Sequence, residues 1–128
     1  MEKQFDLLQA LLDTEFKPEK EILMKRFGPE ATFRIRAFDE TERKRVLEQS
    51  TYPTKKGETL DEDKFRKLLI AKGCVSPDWN DPRLLSGLGV SDAVEAVGKR
   101  LLPGEIMRLS EEISKLSGYG TDLDDLKN

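Results

Sequence analysis

The stretch LLPGEIMRLSEEISKL, residues 101–116, carries the strongest amphipathic pattern in the chain. Its large apolar residues recur three or four positions apart, which is the spacing of one face of an α-helix. They are Leu102, Ile106, Leu109, Ile113 and Leu116. Pro103 favours the first turn of a helix and Gly118 favours its end. The stretch therefore predicts a long helix whose apolar face either closes the core or binds a partner.

A second amphipathic helix is predicted at the other end of the chain, over residues 2–13. Phe5, Leu8, Leu11 and Leu12 have helical spacing there, and the proline of Lys17-Pro18 ends the pattern. We expect its apolar face to dock on another surface. A small protein with amphipathic helices at both ends can use one of them to grip a partner helix. For residues 102–116 we favour the interpretation that the apolar face closes the core. If this helix binds a partner instead, the five apolar residues of its stripe are the candidate binding residues.

Between these helices the pattern changes from helical spacing to alternation. Residues 21–27 and 31–38, separated by Gly28-Pro29, predict a two-stranded antiparallel β unit. Residues 40–118 are then mainly helical, apart from an exposed loop predicted at residues 52–57. The helix starts are predicted from residues that favour N-terminal caps, namely Asp39, Thr59, Asp81 and Ser91.

The predicted fold class is α+β and predominantly helical, with about five helices and a small two-stranded antiparallel β unit near residues 21–38. The length of 128 residues suits a single small domain. We predict one compact domain over residues 1–118, made of the helix at 2–13, the β unit and the helical remainder at 40–118. Residues 119–128 are predicted to form an acidic, flexible tail.

Two scarce residue types exclude several classes of function. The chain has no histidine and one cysteine, Cys74, so it lacks the residues for a disulfide framework, a Cys/His zinc site or a histidine-dependent catalytic triad. We predict that the protein is not an enzyme and needs no cofactor or metal. No signal peptide or membrane-spanning stretch is recognisable, which favours the cytoplasm. Cys74 and the single tryptophan, Trp79, are predicted to pack against the core.

Two alternatives remain open from the residues alone. Residues 31–72 hold 11 basic and 8 acidic residues, and Arg43-Lys44-Arg45 with Lys55-Lys56 would suit a small helical nucleic-acid-binding regulator. The net charge of −3 disfavours that reading. The second alternative is a carboxylate-based enzyme, which rests only on abundant acidic residues such as Asp61-Glu62-Asp63. The acidic run at residues 122–125 is a similarly weak metal-binding candidate.

The order of five segments resembles the XkdN-like family of phage tail assembly chaperones from prophages of Gram-positive bacteria. Two segments are the most telling, because a DP-opened turn precedes an LLPGEI segment that runs into a terminal LSGY. The likeness covers about residues 20–128. The segments are FRIRAFDETE (33–42), TKKG (54–57), DKFRKLL (63–69), VSPDWNDPRL (75–84) running into GVS (89–91), and LLPGEI (101–106) running to LSGY (116–119).

The resemblance implies a function that the residue patterns alone do not supply. It implies a non-structural phage protein that binds the tape measure protein in the cytoplasm of the bacterial host and helps recruit tail tube subunits. It brings no catalytic residues. We also expect that copies of the chain associate with one another. The partner-binding residues Leu102, Ile106, Leu109, Ile113 and Leu116 come from the amphipathic pattern, not from the family.

Overall fold

A computed structural model describes residues 4–15 and 17–119. Within these residues six α-helices lie in an α+β fold that is predominantly helical, which confirms the predicted class with one helix more than expected. The helices are α1 (Leu7–Asp13), α2 (Glu40–Gln49), α3 (Glu62–Gly73), α4 (Pro82–Leu88), α5 (Ala93–Arg100) and α6 (Pro103–Leu116). None of the helices in this described part is long and apolar enough to cross a membrane.

Five short strands form two antiparallel sheets. They are β1 (Glu19–Leu23), β2 (Thr32–Arg36), β3 (Thr51–Thr54), β4 (Gly57–Leu60) and β5 (Cys74–Ser76). The predicted β unit is confirmed as β1 and β2, with Ile22 opposite Phe33. The first strand ends earlier than predicted because Lys25–Phe27 form a 3-10 turn. A third strand, β5, joins the far edge of β2 and gives the order β1-β2-β5.

The prediction of a loop at residues 52–57 is wrong. This segment belongs to the β3–β4 hairpin, in which Tyr52 pairs with Thr59 and Lys55 and Lys56 form the two-residue turn. Gly57 has a φ of 112°, a conformation that favours glycine and lets the chain reverse tightly. The prediction gave proline, glycine and lysine more weight than the threonines and tyrosine beside them, which favour strands.

Two of the four predicted helix caps are corrected. Asp39 and Asp81 cap α2 and α4 as predicted. The side chain of Asp61, not Thr59, accepts the hydrogen bond from the Lys64 N–H that opens α3, because Thr59 is held in β4. Similarly, Asp92 caps α5 in place of the neighbouring serine. In both cases an aspartate one or two residues further along the chain is the better acceptor.

The core lies between the β1-β2-β5 sheet and helices α3, α5 and α6. Trp79 is buried and packs edge to face on Phe33 with ring centroids 6.2 Å apart, as expected for a loop residue that anchors on the core. Cys74 is also buried, and this burial raises the pKa of its thiol to about 11. The division into a domain of residues 1–118 and a tail stays a prediction, since residues 120–128 lie outside the described part of the chain.

Candidate protein-binding surfaces

The N-terminal helix α1 is the most exposed apolar element of the described chain. Asp6 caps it by accepting a hydrogen bond from the Gln9 N–H at 3.1 Å, and it ends at Thr14, whose backbone is extended. No residue of α1 is buried. Its large apolar side chains, with the preceding phenylalanine, are 59–79% exposed: Phe5, Leu7, Leu8, Leu11 and Leu12. We expected this face to dock on another surface, and no described residue of the same chain provides that surface.

The apolar and polar residues of α1 occupy different sides of the helix. Leu8 and Leu12 are one turn apart on the apolar side, whereas Gln9 and Asp13 hydrogen bond to each other at 2.8 Å on the opposite side. The five side chains expose on the order of 600 Å² of apolar surface, at the upper end of the roughly 300–600 Å² typical of the largest patch on a monomer. At about 25 cal/mol per Å², covering half of it is worth on the order of 7 kcal/mol before the costs of association. A surface of this size is typical of a protein interaction site.

Most of the apolar stripe on α6 is buried in the core, in contrast to the exposed apolar side of α1. Ile106, Leu109 and Ile113 are 0–7% exposed and pack in the core, and Leu116 is partly buried against it. Leu102, which precedes the helix, is 55% exposed. The core interpretation of this helix therefore describes the folded chain, in which Ile106, Leu109 and Ile113 are buried. That the five residues of the stripe bind a partner stays a prediction.

Ion pairs near both ends of α6 connect this helix to the β1 region. The guanidinium of Arg26 donates to both carboxylate oxygens of Glu105, at 2.6 and 3.0 Å, while Glu105 also accepts the Leu102 N–H. Lys20 donates to Glu112 at 2.6 Å. Hydrogen bonds from these basic side chains hold the pKa values of Glu105 and Glu112 below the ordinary value. These contacts fix the outward face of α6 relative to the sheet.

An apolar groove runs along the other side of α6, where α6 packs against α3. It has a volume of about 330 Å³ and is lined by Leu60, Phe65, Leu69 and Met107. The groove continues into a second hollow of about 150 Å³, which shares Phe65 and Leu69 and is closed by Tyr119. Leu60, Met107 and Tyr119 are all 36–48% exposed. We call this continuous hollow the α3–α6 groove.

The far end of the α3–α6 groove lies close to the point where α1 joins the body. Pro18 O accepts a hydrogen bond from Ala37 N at 2.9 Å, and the next residue, Phe38, lines the groove. Phe38 N in turn donates to Ser117 Oγ at 2.8 Å. The strand that follows α1 is thus anchored beside this groove. Sequence reasoning missed the groove because its lining comes from three separated segments.

The acidic and basic residues that suggested an enzyme or a nucleic-acid-binding protein either make contacts within the fold or lie on separate elements. Asp63 pairs with Lys67 at 2.7 Å and the neighbouring acidic residues cap or pair within α3, while residues 122–125 lie outside the description. No cluster of three or more potential metal ligands occurs among the described residues. Arg43 lies over the ring of Tyr119 at 4.6 Å, whereas Lys55 and Lys56 are at the tip of the hairpin. The two basic groups therefore belong to different elements.

A small α+β fold with an uncovered amphipathic helix and a separate apolar groove is typical of proteins that act by binding other proteins. A family model described as phage XkdN-like tail assembly chaperone protein matches residues 8–128. Because this match covers most of the chain, the protein belongs to that family of phage tail assembly chaperones. The resemblance found in the sequence is thereby confirmed.

A solved structure has a similar fold. The crystal structure of the protein yqbn matches with a TM-score of 0.70, covering 91% of this chain and 99% of that chain at 18% sequence identity. At this identity the likeness concerns the fold alone. A comparison with curated proteins gave no match.

Proposed function

We propose that this tail assembly chaperone binds the tape measure protein through the apolar face of α1 and so keeps it soluble until the tail tube forms around it. The observation that carries the proposal is the exposure of α1, whose leucines are 59–77% exposed and are not covered by any other described residue of the chain. A tape measure protein is expected to be long and helical, with apolar stripes that aggregate when uncovered. Covering such a stripe with an amphipathic helix is a recurrent mode of recognition.

The arrangement of charge on α1 suits this role. When the leucines face a partner helix, Asp13 and Gln9 remain on the side that faces water. The complex then presents polar surface outwards, which opposes aggregation. Several copies bound along one tape measure protein would add their effects through multivalency. We further propose that such a complex acts in the cytoplasm of the bacterial host without catalysis and helps to recruit tail tube subunits.

The test is co-expression with the tape measure protein of the same phage, followed by size-exclusion chromatography with light scattering. We expect a soluble complex with the natural chain and none with Leu8→Asp combined with Leu12→Asp. The matched control is Gln9→Asp, which adds a charge to the opposite face of the same helix. Since α1 contributes no buried residue, these variants should keep the circular dichroism and unfolding midpoint of the natural chain. A soluble complex formed equally well by the double leucine variant contradicts the assignment to α1.

A further inference from the structure

The described part of the chain exposes two apolar surfaces of opposite curvature. One is the convex face of α1, and the other is the concave α3–α6 groove. We propose that, in the absence of other partners, two copies of this chain form a dimer in which each α1 occupies the α3–α6 groove of the other copy. This dimer requires no tape measure protein, so its failure would leave the proposed function untouched.

The first argument is the position of the connection. Residues 14–18 reach at most roughly 17 Å, and Pro18 is hydrogen bonded to Ala37 beside the end of the groove. An exchanged helix therefore leaves one body near the place where it would enter the other. Thr14 is extended, and the proline after Lys17 disfavours a helical turn there. A short connection that resists a turn generally favours exchange between copies, and this is the arrangement that we propose.

The second argument is area. Covering half of the exposed apolar surface of one α1, with a matching area of groove, would bury about 600 Å² in total, which is below the size of a specific interface. Reciprocal exchange doubles this to about 1,200 Å², the lower limit of specific interfaces. Two equivalent contacts related by a twofold axis also satisfy the usual symmetry of small oligomers. A pairing of two α1 helices alone would cover far less, since each helix has only seven residues.

The third argument is the chemistry of the groove. Its apolar lining, Leu60, Phe65 and Met107, resembles the leucines of α1 in character, and Ser110, Glu111 and Ser114 are the polar residues of the lining on the α6 side. The charged residues at its rim include one internal pair, since Arg66 lies 3.6 Å from Glu62. The contact is therefore apolar in character, and we expect it to persist at high salt concentration.

The experiment is light scattering of the purified natural chain over a wide range of concentration. We expect the mass to rise from 14.6 kDa to twice that value. Leu60→Glu with Met107→Glu should weaken the dimer about 100-fold, because two apolar contacts are lost. Val75→Glu with Leu23→Glu makes the same change at exposed positions outside the groove and should leave the dimer unchanged.

Mixing variants separates exchange from other forms of association. The groove variant retains α1, and Leu8→Asp with Leu12→Asp retains the groove, so each should be monomeric alone and the mixture should form a one-to-one complex. A natural chain that stays monomeric at every concentration overturns the proposal, as does a groove variant that dimerises as tightly as the natural chain. The mixture keeps one intact contact between α1 and a groove, so a mixture that associates no better than either variant alone also overturns it. Dissociation at high salt also overturns it. Unchanged unfolding midpoints of all variants exclude loss of folding as the cause.

Discussion

Gly73 allows α3 to approach α6, and replacing it by alanine tests this packing quantitatively. A β-carbon at Gly73 would lie 2.8 Å from Ile113 Cδ1 and 3.1 Å from Phe38 Cε1. Carbon atoms pack favourably at about 3.5–4.0 Å, so both neighbours would have to move. Ile113 is completely buried and has no free space to enter. The same two helices form the walls of the α3–α6 groove, so the test also measures the packing that holds these walls together.

The expected net effect of Gly73→Ala is a loss of about 1–2 kcal/mol in the free energy of unfolding. Overpacking costs about 1–3 kcal/mol, and the better helix propensity of alanine returns up to about 1 kcal/mol. Ile113→Val alone should cost about 1 kcal/mol by removing a buried methyl group. The double variant should lose about 1 kcal/mol less than the sum of the two, since valine lacks the atom that obstructs the new methyl group.

The assay is urea unfolding followed by the fluorescence of Trp79, the single tryptophan, which is buried in the native state. The control is Gly87→Ala in α4, where a β-carbon meets no atom within 4 Å. That change should stabilise the protein by about 0.5–1 kcal/mol through helix propensity alone. A Gly73→Ala variant as stable as the natural chain, or effects at Gly73 and Ile113 that simply add, would refute the reasoning.

Three further predictions concern the core and the ionisable groups. Leu109→Ala should destabilise the protein by about 2–5 kcal/mol in the same urea assay, whereas Leu102→Ala should change stability by less than about 0.5 kcal/mol; equal effects would contradict the placement of α6. Cys74, whose pKa is raised to about 11 by burial, should react with a thiol reagent at pH about 8 only as fast as the protein unfolds, and rapid reaction in native conditions would argue against its burial. The pKa values of three glutamates are lowered by hydrogen bonds from basic neighbours, so their stabilisation is fully present above the ordinary value of 4.5 and is lost as the pH falls through their lowered pKa values. These residues are Glu42, Glu105 and Glu112. The urea concentration at the unfolding midpoint should therefore decrease once the pH is lowered below about 4.5. A midpoint that stays constant down to pH about 3 would contradict a stabilising role of these pairs.

Local sequence signals were sufficient where one residue type has one physical role. Asp39 and Asp81 begin their helices because a carboxylate accepts the free N–H groups of the first turn. The alternation around Phe33 and Ile35 predicts a strand with one buried face, and both side chains are buried. Where two neighbouring residues compete for a cap, as at residues 91–92, the pattern was ambiguous. The strand β5 was not predictable, because three residues carry too little periodicity.

The family resemblance was also available from the sequence, because it depends on the order of segments along the chain. The candidate binding surfaces, in contrast, could not be predicted from the sequence. The α3–α6 groove combines Leu60 from a hairpin, Phe65 from α3 and Met107 from α6, which are brought together only by packing. Met107 lies off the main stripe of its helix, so the periodicity that predicts a core gives no reason to select it.

Apolar spacing alone was enough to predict an amphipathic helix near each end of the chain, because this spacing fixes which side of a helix is apolar. Which of the two helices is buried depends on the packing of the folded chain. Periodicity describes a helix in isolation and contains no information about the surface opposite it. In α6 that surface is the sheet and α3, which enclose Leu109 and Ile113, whereas no residue of α1 is buried by the described part of the chain.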